Sequence, residues 1–300
     1  MRARAGGVTS RERRVSRWQR WPLRDAHLLV LAVILTTLIP ARVTSQVAYA
    51  AVADTARAAP PADARIAYGA APQQFAELRV PQGRGPHPVV MLIHGGCWLA
   101  EYDLAHVAGI AESMRQAGIA TWTIEFRRVG DDGAGDPGTF DDIRAAYDSL
   151  IAQSKARGLD KKRIVLAGHS AGGHLALWLA AERGVKVRGT VGLAAITDIA
   201  AYAKPTGCGA GITKLLGGTP ADRAEVYATH SPVSRPAADG TVTLVVATDD
   251  RIVPRGQADA YLARFPKTHV IEQPGGHFDV VAPWTDAWRA ALDAIRELLR

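Results

Sequence analysis

The amino-acid sequence predicts an α/β domain with a mostly parallel central sheet, helices on both faces and a small insertion over one edge of the sheet. Strand and helix signals alternate from residue 67 onward, which is typical of such a sheet. The apolar run 88–93 has no polar interruption, as expected of a strand covered on both faces. The rhythm breaks at 198–240, where glycine and proline accumulate, and this stretch is the predicted insertion.

Each element has its own signal. Residues 75–80 alternate like a half-buried strand, and the helical spacing of 103–117 ends at Gly118, a residue type common after helices. Thr139 is a helix-capping residue type. Strands are predicted over 75–80, 88–93, 119–124, 163–167, 187–193, 242–247 and 269–272. Helices are predicted over 103–117, 139–156, 171–183, 256–264 and 284–299.

The N-terminal segment has the pattern of an export signal. Residues 1–50 hold nine arginines against Glu12 and Asp25. Eight of the arginines precede an uncharged apolar run of about a dozen residues at 28–39. That run is short for a membrane span of about 20 residues. We therefore expect a signal peptide over 1–50, or an uncleaved anchor, then a linker over 51–66 and the catalytic domain over 67–300. The expected location is extracytoplasmic, either periplasmic or secreted.

The net charge of +7 lies in the same segment, because the nine arginines and two acids of residues 1–50 already sum to +7. The remaining body is therefore close to neutral. A neutral body offers no basic surface for phosphates, so nucleic acid is not an expected partner. Membrane contact is expected only through an uncleaved anchor.

A candidate nucleophile lies in the motif Gly168-His-Ser-Ala-Gly172, between a predicted strand and a predicted helix. A sharp turn there raises Ser170 above the sheet at a helix N-terminus, where negative charge is favoured. Without those flanking elements the motif would be only a glycine-rich helix start. With them, it indicates a catalytic serine.

A serine nucleophile needs a base and an acid that orients it. Asp249 and Asp250 follow the predicted strand 242–247, and His277 follows the last predicted strand. This is the chain order serine, acid, histidine. Asp250 is preferred because it begins an Asp-x-x-Val-Pro turn, which leaves Asp249 as a capping residue.

The oxyanion donors are expected in His94-Gly-Gly-Cys-Trp98, which follows the apolar strand. Adjacent glycines allow backbone N–H groups to approach a substrate oxygen closely. The expected donors are the N–H groups of Gly95, Gly96 or Cys97, together with that of Ala171. Trp98 either floors the substrate pocket or lies in the core, and His94 is expected to brace the loop.

These motifs resemble those of the α/β-hydrolase serine esterases. More narrowly, His94-Gly-Gly-Cys-Trp98, Gly168-His-Ser-Ala-Gly-Gly-His, Asp250-x-x-Val-Pro254 and Gly276-His277-Phe278 are similar to the hormone-sensitive-lipase-like and kynurenine-formamidase-like branches. The resemblance covers about 67–300. It implies the α/β-hydrolase fold and an acyl-enzyme mechanism through Ser170, Asp250 and His277.

The expected function is hydrolysis of small or aryl carboxylic esters. An arylformamidase-like amidase, a peptidase-like hydrolase of the same fold and a non-catalytic binding protein are the alternatives. The expected partner is a small-molecule ester or amide, and no cofactor or metal is expected because zinc-binding motifs are missing. Cys97 and Cys208 either form a disulfide or stay as thiols. His169 and His174 are expected to pack or brace, and Glu125 to form a structural ion pair.

Overall fold

The computed structural model describes residues 46–300. Most of the predicted signal segment therefore lies outside the described residues. None of the described helices has both the length and the apolar character needed to cross a membrane.

Eight strands form one sheet in the order β1-β2-β4-β3-β5-β6-β7-β8. The first two strands are antiparallel to their neighbours, and all pairs from β4 to β8 are parallel. The predicted mostly parallel sheet is thus confirmed. The strands are β1 (Ala64–Ala67), β2 (Phe75–Arg79), β3 (His87–Ile93), β4 (Ala120–Ile124), β5 (Leu159–His169), β6 (Gly189–Leu193), β7 (Thr241–Ala247) and β8 (His269–Gln273).

The helices of the described residues lie between and around these strands. They are α1 (Tyr49–Ala53), α2 (Thr55–Ala58), α3 (Ala108–Gln116), α4 (Gly138–Gln153), α5 (Ala171–Ala180), α6 (Ile199–Tyr202), α7 (Cys208–Leu216), α8 (Ala224–His230), α9 (Gly256–Arg264) and α10 (Asp286–Leu298). Short 3₁₀ turns cover Leu104–Val107, Pro232–Ser234 and Asp279–Val281.

The apolar run of β3 is explained by the two cores of the sheet, one on each face. Met91 and Ile93 of β3 belong to the cluster that includes residues of α4, α5 and α7. Val90 and Leu92 belong to the opposite cluster, with residues of α3 and α10. Successive side chains of a strand point to opposite faces, so a strand covered on both faces is mainly apolar.

β5 is longer than predicted. It begins at Leu159, which pairs with His87, and the register then shifts before Val89 pairs with Ile164. The polar residues Asp160–Arg163 separate the two parts. Their exposure conceals the early start of the strand from a search for apolar runs.

The insertion predicted at 198–240 contains α6, α7 and α8. Its first helix is capped by Asp198, whose side chain accepts the N–H of Ala201 at 3.0 Å. Residues 51–66, expected as a linker, instead contain most of α1, all of α2 and the start of β1. Val52 explains the difference, since its side chain is fully buried in a segment that otherwise has little to bury.

Candidate active site

Ser170 occupies the turn between β5 and α5 with a φ of +54°. Its N–H donates to the carbonyl oxygen of Leu193 at 2.8 Å, which fixes the turn against β6. A Cβ on Gly168 would lie 2.1 Å from the carbonyl oxygen of Gly172, and one on Gly172 would lie 2.2 Å from that of Ile93. The two glycines of the motif are therefore required by the closeness of the backbone on both sides of the serine.

The predicted acid and base are in contact. His277 Nδ1 donates to Asp250 Oδ2 at 2.7 Å, and both side chains are almost fully buried. The other carboxylate oxygen of Asp250 accepts the N–H groups of Ile252 and Val253, each at 2.8 Å. Since Nδ1 carries the hydrogen in this bond, Nε2 is the nitrogen left to accept a proton.

Asp249 has a different environment. Its N–H donates to the carbonyl oxygen of Gly275, and its own carbonyl oxygen accepts a hydrogen bond from Gln46. Its carboxylate lies at the limit of hydrogen-bond distance from Thr248 Oγ1, 3.5 Å away. The structure therefore brings Asp250, and not its neighbour, to His277.

Ser170 and His277 line one pocket of about 190 Å³. Among the described residues, no hydrogen bond joins Ser170 Oγ to His277 Nε2. Such catalytic contacts commonly tighten only when the substrate binds. The pocket is also lined by Tyr49, Gly96, Cys97, Tyr102, His106, His169, Ile252 and Phe278.

The loop after β3 provides backbone donors beside Ser170. Gly96, Cys97 and Trp98 all have positive φ, at +107°, +54° and +59°. The N–H of Gly95 donates to His106 Nε2 at 3.3 Å, so it is already engaged. Within residues 46–300, no backbone hydrogen bond uses the N–H of Gly96 or Cys97.

Ala171 is the first residue of α5, where an N–H has no acceptor within the helix. Its N–H follows the nucleophile directly. Of the four donors predicted from the sequence, Gly96, Cys97 and Ala171 therefore remain available for a substrate oxygen.

His94 braces this loop, as expected. Its Nδ1 lies 2.7 Å from the carbonyl oxygen of Gly95, and its Nε2 lies 2.8 Å from Glu125 Oε1. Burial raises the pKa of Glu125, but His94 and Arg128 lower it by more, so the net pKa is below its usual range. The ionised carboxylate of Glu125 thereby holds the His94 ring, which contacts the loop with the candidate donors.

A second brace reaches His277, the predicted base. His169 Nε2 donates to the carbonyl oxygen of His277 at 3.0 Å, and His169 Nδ1 lies 3.3 Å from His106 Nε2. Burial lowers the pKa of His106 to about 3 and holds that of His169 well below its usual value. Both rings are therefore neutral at pH 7. His169 donates to the loop that carries His277, and His106 accepts the N–H of Gly95, while the two facing nitrogens are both unprotonated and only in contact.

Trp98 does not line the pocket. Its side chain is 1% exposed and lies in the core, edge-on to His174 with ring centroids 5.3 Å apart. His174 in turn donates from Nε2 to the carbonyl oxygen of His230 at 2.9 Å. The positive φ of Trp98 directs its side chain inward, and the core alternative for this residue is therefore the one found.

Several pocket residues were missed by the sequence analysis. Phe278 follows His277 and Tyr102 lies shortly after the oxyanion motif, so their proximity in sequence was a usable signal. Tyr49 carried no such signal, because it falls in a segment interpreted as export signal and linker. His106 is recognisable only from its contacts in three dimensions.

Cys97 and Cys208 form a disulfide, with their Cα atoms 4.9 Å apart. Cys97 belongs to the loop with the candidate oxyanion donors, and Cys208 is the first residue of α7 in the insertion. The bond therefore connects the candidate donors to the element that covers this edge of the sheet.

The sequence matches a known family over most of the described α/β domain. The BD-FAE family model matches residues 78–264, which include Ser170 and Asp250. A curated relative is the Probable isoprenylcysteine alpha-carbonyl methylesterase ICME of Oryza sativa subsp. japonica, 31% identical over 143 residues. That alignment covers 46% of this chain and 33% of the relative. A second rice protein of the same description, ICMEL1, is 28% identical over 125 residues, 41% of this chain and 29% of that protein.

The chain thus spans about a third of the length of these curated relatives. Solved structures are similar to this chain over a larger part of its length than these relatives are. A truncated carbohydrate esterase from gut microbiota gives a TM-score of 0.69 at 19% identity, over 79% of this chain and 98% of that one. Esterase B from Lactobacillus rhamnosis gives a TM-score of 0.67 at 21% identity, over 83% of this chain and 90% of that one. The chain belongs to the BD-FAE family, and its fold is that of the α/β-hydrolase esterases.

Proposed function

We propose that the protein is an exported serine carboxylesterase that cleaves small carboxylic esters through an acyl-enzyme. The observation that carries the proposal is the arrangement of one pocket. Ser170 occupies a positive-φ turn at the start of α5, and beside it lies His277, hydrogen-bonded to Asp250 at 2.7 Å. Nucleophile, base and orienting acid are the three groups that acyl transfer requires.

In the proposed reaction, Ser170 Oγ attacks the ester carbonyl carbon while His277 Nε2 takes the hydroxyl proton. Asp250 holds the imidazole in the correct tautomer and stabilises the imidazolium. The carbonyl oxygen becomes an oxyanion that accepts the N–H groups of Ala171 and of Gly96 or Cys97. His277 then protonates the leaving alcohol, and the ester C–O bond breaks to leave the acyl group on Ser170.

Water completes the cycle. His277 removes a proton from a water molecule, which attacks the acyl carbon, and the collapsing intermediate returns the proton to Ser170 Oγ as the acid leaves. No part of this cycle needs a group other than the chain's own residues and water. The carboxylesterase assignment is further supported by the esterase names among the relatives of similar sequence or fold.

Export is the second part of the proposal. The arginine-rich start followed by an apolar run supports it. The disulfide between Cys97 and Cys208 supports it independently, since disulfides persist mainly in oxidising compartments.

The test is a substrate panel assayed with the wild type and with Ser170→Ala. The panel contains short p-nitrophenyl esters, acetylated sugars, aryl esters, an N-formyl aromatic amine and a peptide anilide. We expect ester hydrolysis by the wild type and a loss of several orders of magnitude in kcat for Ser170→Ala. Equal activity in the two proteins, or cleavage of the amides alone, would overturn the proposal.

A further inference from the structure

The segment ahead of β1 lies against the active site. We call residues 46–58 the N-terminal strap; it contains α1 and α2. Val52 of the strap is fully buried, in the same apolar cluster as Val107 and Ile110. Thr55 Oγ1 accepts the N–H of Gly109, near the start of α3, at 3.1 Å. The strap is therefore part of the domain's packing, and the inference below concerns a protein that keeps it, either because the signal is an uncleaved anchor or because cleavage follows Ser45.

The strap also contacts the two loops that hold the acid and the base. Gln46 Nε2 donates to the carbonyl oxygen of Asp249 at 3.1 Å, one residue before the acid. The N–H of Val47 donates to Asp279 Oδ2 at 3.0 Å, and the same oxygen accepts the N–H of Gly276 at 2.9 Å. The start of the strap therefore joins the acid loop to the loop that carries His277.

Tyr49 extends from the strap into the pocket. Its ring centroid lies 5.4 Å from that of Tyr102, 5.7 Å from that of Phe278 and 5.8 Å from that of His106. The first two contacts are edge-to-face, a favourable geometry for aromatic rings. The ring is thus held from three sides and forms a fixed wall of the pocket that contains Ser170.

We infer that Tyr49 is a specificity-determining residue, which limits the enzyme to esters with a small acyl group. This inference rests on the proposed function and adds the substrate class. The pocket of about 190 Å³ is smaller than the roughly 300–1,000 Å³ typical of sites for drug-sized ligands. Removing the Tyr49 ring would extend the pocket into the space between Tyr102 and Phe278, where a longer acyl chain then fits.

The experiment compares kcat/KM for p-nitrophenyl acetate, butyrate and octanoate in the full chain and its variants. The wild type should prefer acetate or butyrate to octanoate. Tyr49→Ala should raise the octanoate-to-acetate ratio of kcat/KM about tenfold or more, the low end of what pocket size contributes to discrimination. Tyr49→Trp should lower the butyrate-to-acetate ratio, because a larger ring narrows the pocket.

Two controls separate the ring from its hydroxyl and from the strap as a whole. Tyr49→Phe keeps the ring and should keep the wild-type ratios. Arg57→Ala alters α2 at a side chain that is 85% exposed, and it should also leave the ratios unchanged. A ratio within twofold of wild type in Tyr49→Ala and in Tyr49→Trp would overturn the inference, as would an equal change in Tyr49→Phe.

These outcomes are distinct from a failure of the proposed function. If the wild type hydrolyses no ester in the series, the carboxylesterase proposal itself fails. If the wild type hydrolyses the short esters and the Tyr49 variants keep its chain-length profile, only the role of Tyr49 is refuted.

Discussion

Cys97 and Cys208 join the loop that carries the candidate oxyanion donors to the first turn of α7. Cys97 has a φ of +54°, a conformation that residues with a side chain rarely adopt. Gly211 of the same helix lies so close to this loop that a Cβ there would be 2.3 Å from the carbonyl oxygen of Cys97. The bond and this close packing together fix the position of the loop, whose residues Gly96 and Cys97 line the pocket.

Breaking the bond should therefore impair catalysis. Cys208→Ala leaves Cys97 in the pocket but removes its anchor, and we expect kcat to fall about tenfold or more, short of the 10²–10³ that loss of a whole oxyanion donor entails. Stability should fall by about 2–5 kcal/mol as well. Steady-state kinetics are compared at a temperature where circular dichroism shows both proteins folded.

Reduction of the wild type with dithiothreitol should reproduce the kinetic change, whereas Cys208→Ala should not respond to the reductant. Unchanged kcat in the folded variant would show that packing against α7 alone positions the loop.

The adjacent aspartates provide a matched pair of variants. Asp250→Asn removes the carboxylate that accepts the His277 Nδ1 hydrogen, and kcat should fall by about 10⁴ because the wrong tautomer is favoured. Asp249→Asn changes a side chain that does not contact His277, so its effect should be about tenfold or less. If Asp249→Asn is instead the inactive protein, the acid has been assigned one residue too late.

Ser170 should be a site where stability and activity oppose each other. Its φ of +54° is favourable for glycine and strained for other residues, with a strain of about 1–3 kcal/mol. Ser170→Gly should therefore be inactive but more stable than Ser170→Ala, by about 1 kcal/mol. Chemical denaturation of the two variants measures the difference.

Ala171→Gly is the matched control, since residue 171 begins the regular helix α5. Glycine should lower stability there by about 0.5–1 kcal/mol. A Ser170→Gly variant that is less stable than Ser170→Ala would show that the turn is not strained.

Much of this molecule could be predicted from its sequence because the signals are local. The apolar run before His94, the glycines around Ser170 and the turn after Asp250 each follow from short-range backbone requirements. They locate the ends of parallel strands, and those ends meet at one edge of the sheet. The placement of Asp250 and His277 in contact follows the same logic.

Other features depend on contacts between distant residues. Tyr49 lies in the pocket in a segment that is anchored by the buried Val52, and one valine in an alanine-rich segment gives no periodic signal. His106 Nε2 accepts the N–H of Gly95, a residue eleven positions earlier in the chain. Trp98 has a positive φ, which its residue type does not predict. Sequence pattern alone does not determine such contacts.

The buried histidines predict a stability that declines in mild acid. Burial lowers the pKa of His106 and of His174 to about 3, and holds that of His169 well below its usual value. In the unfolded chain these rings titrate near about 6.5. Between about pH 6.5 and the lower pKa values of the folded protein, the unfolded chain binds more protons than the folded protein does. The free energy of unfolding therefore decreases as the pH falls through this range.

The free energy of unfolding should change by up to about 1.4 kcal/mol per pH unit for each of His106, His169 and His174. Urea denaturation at pH 7, 6 and 5 measures it, above the range where carboxylates titrate. His174→Gln should reduce the slope by about one proton, because the ring that resists protonation is gone. His269→Gln, at an exposed position, is the control for the substitution itself. A flat profile between pH 7 and 5 would mean that the folded protein accommodates charged histidines in its core, and that the rings beside Ser170 are not held neutral.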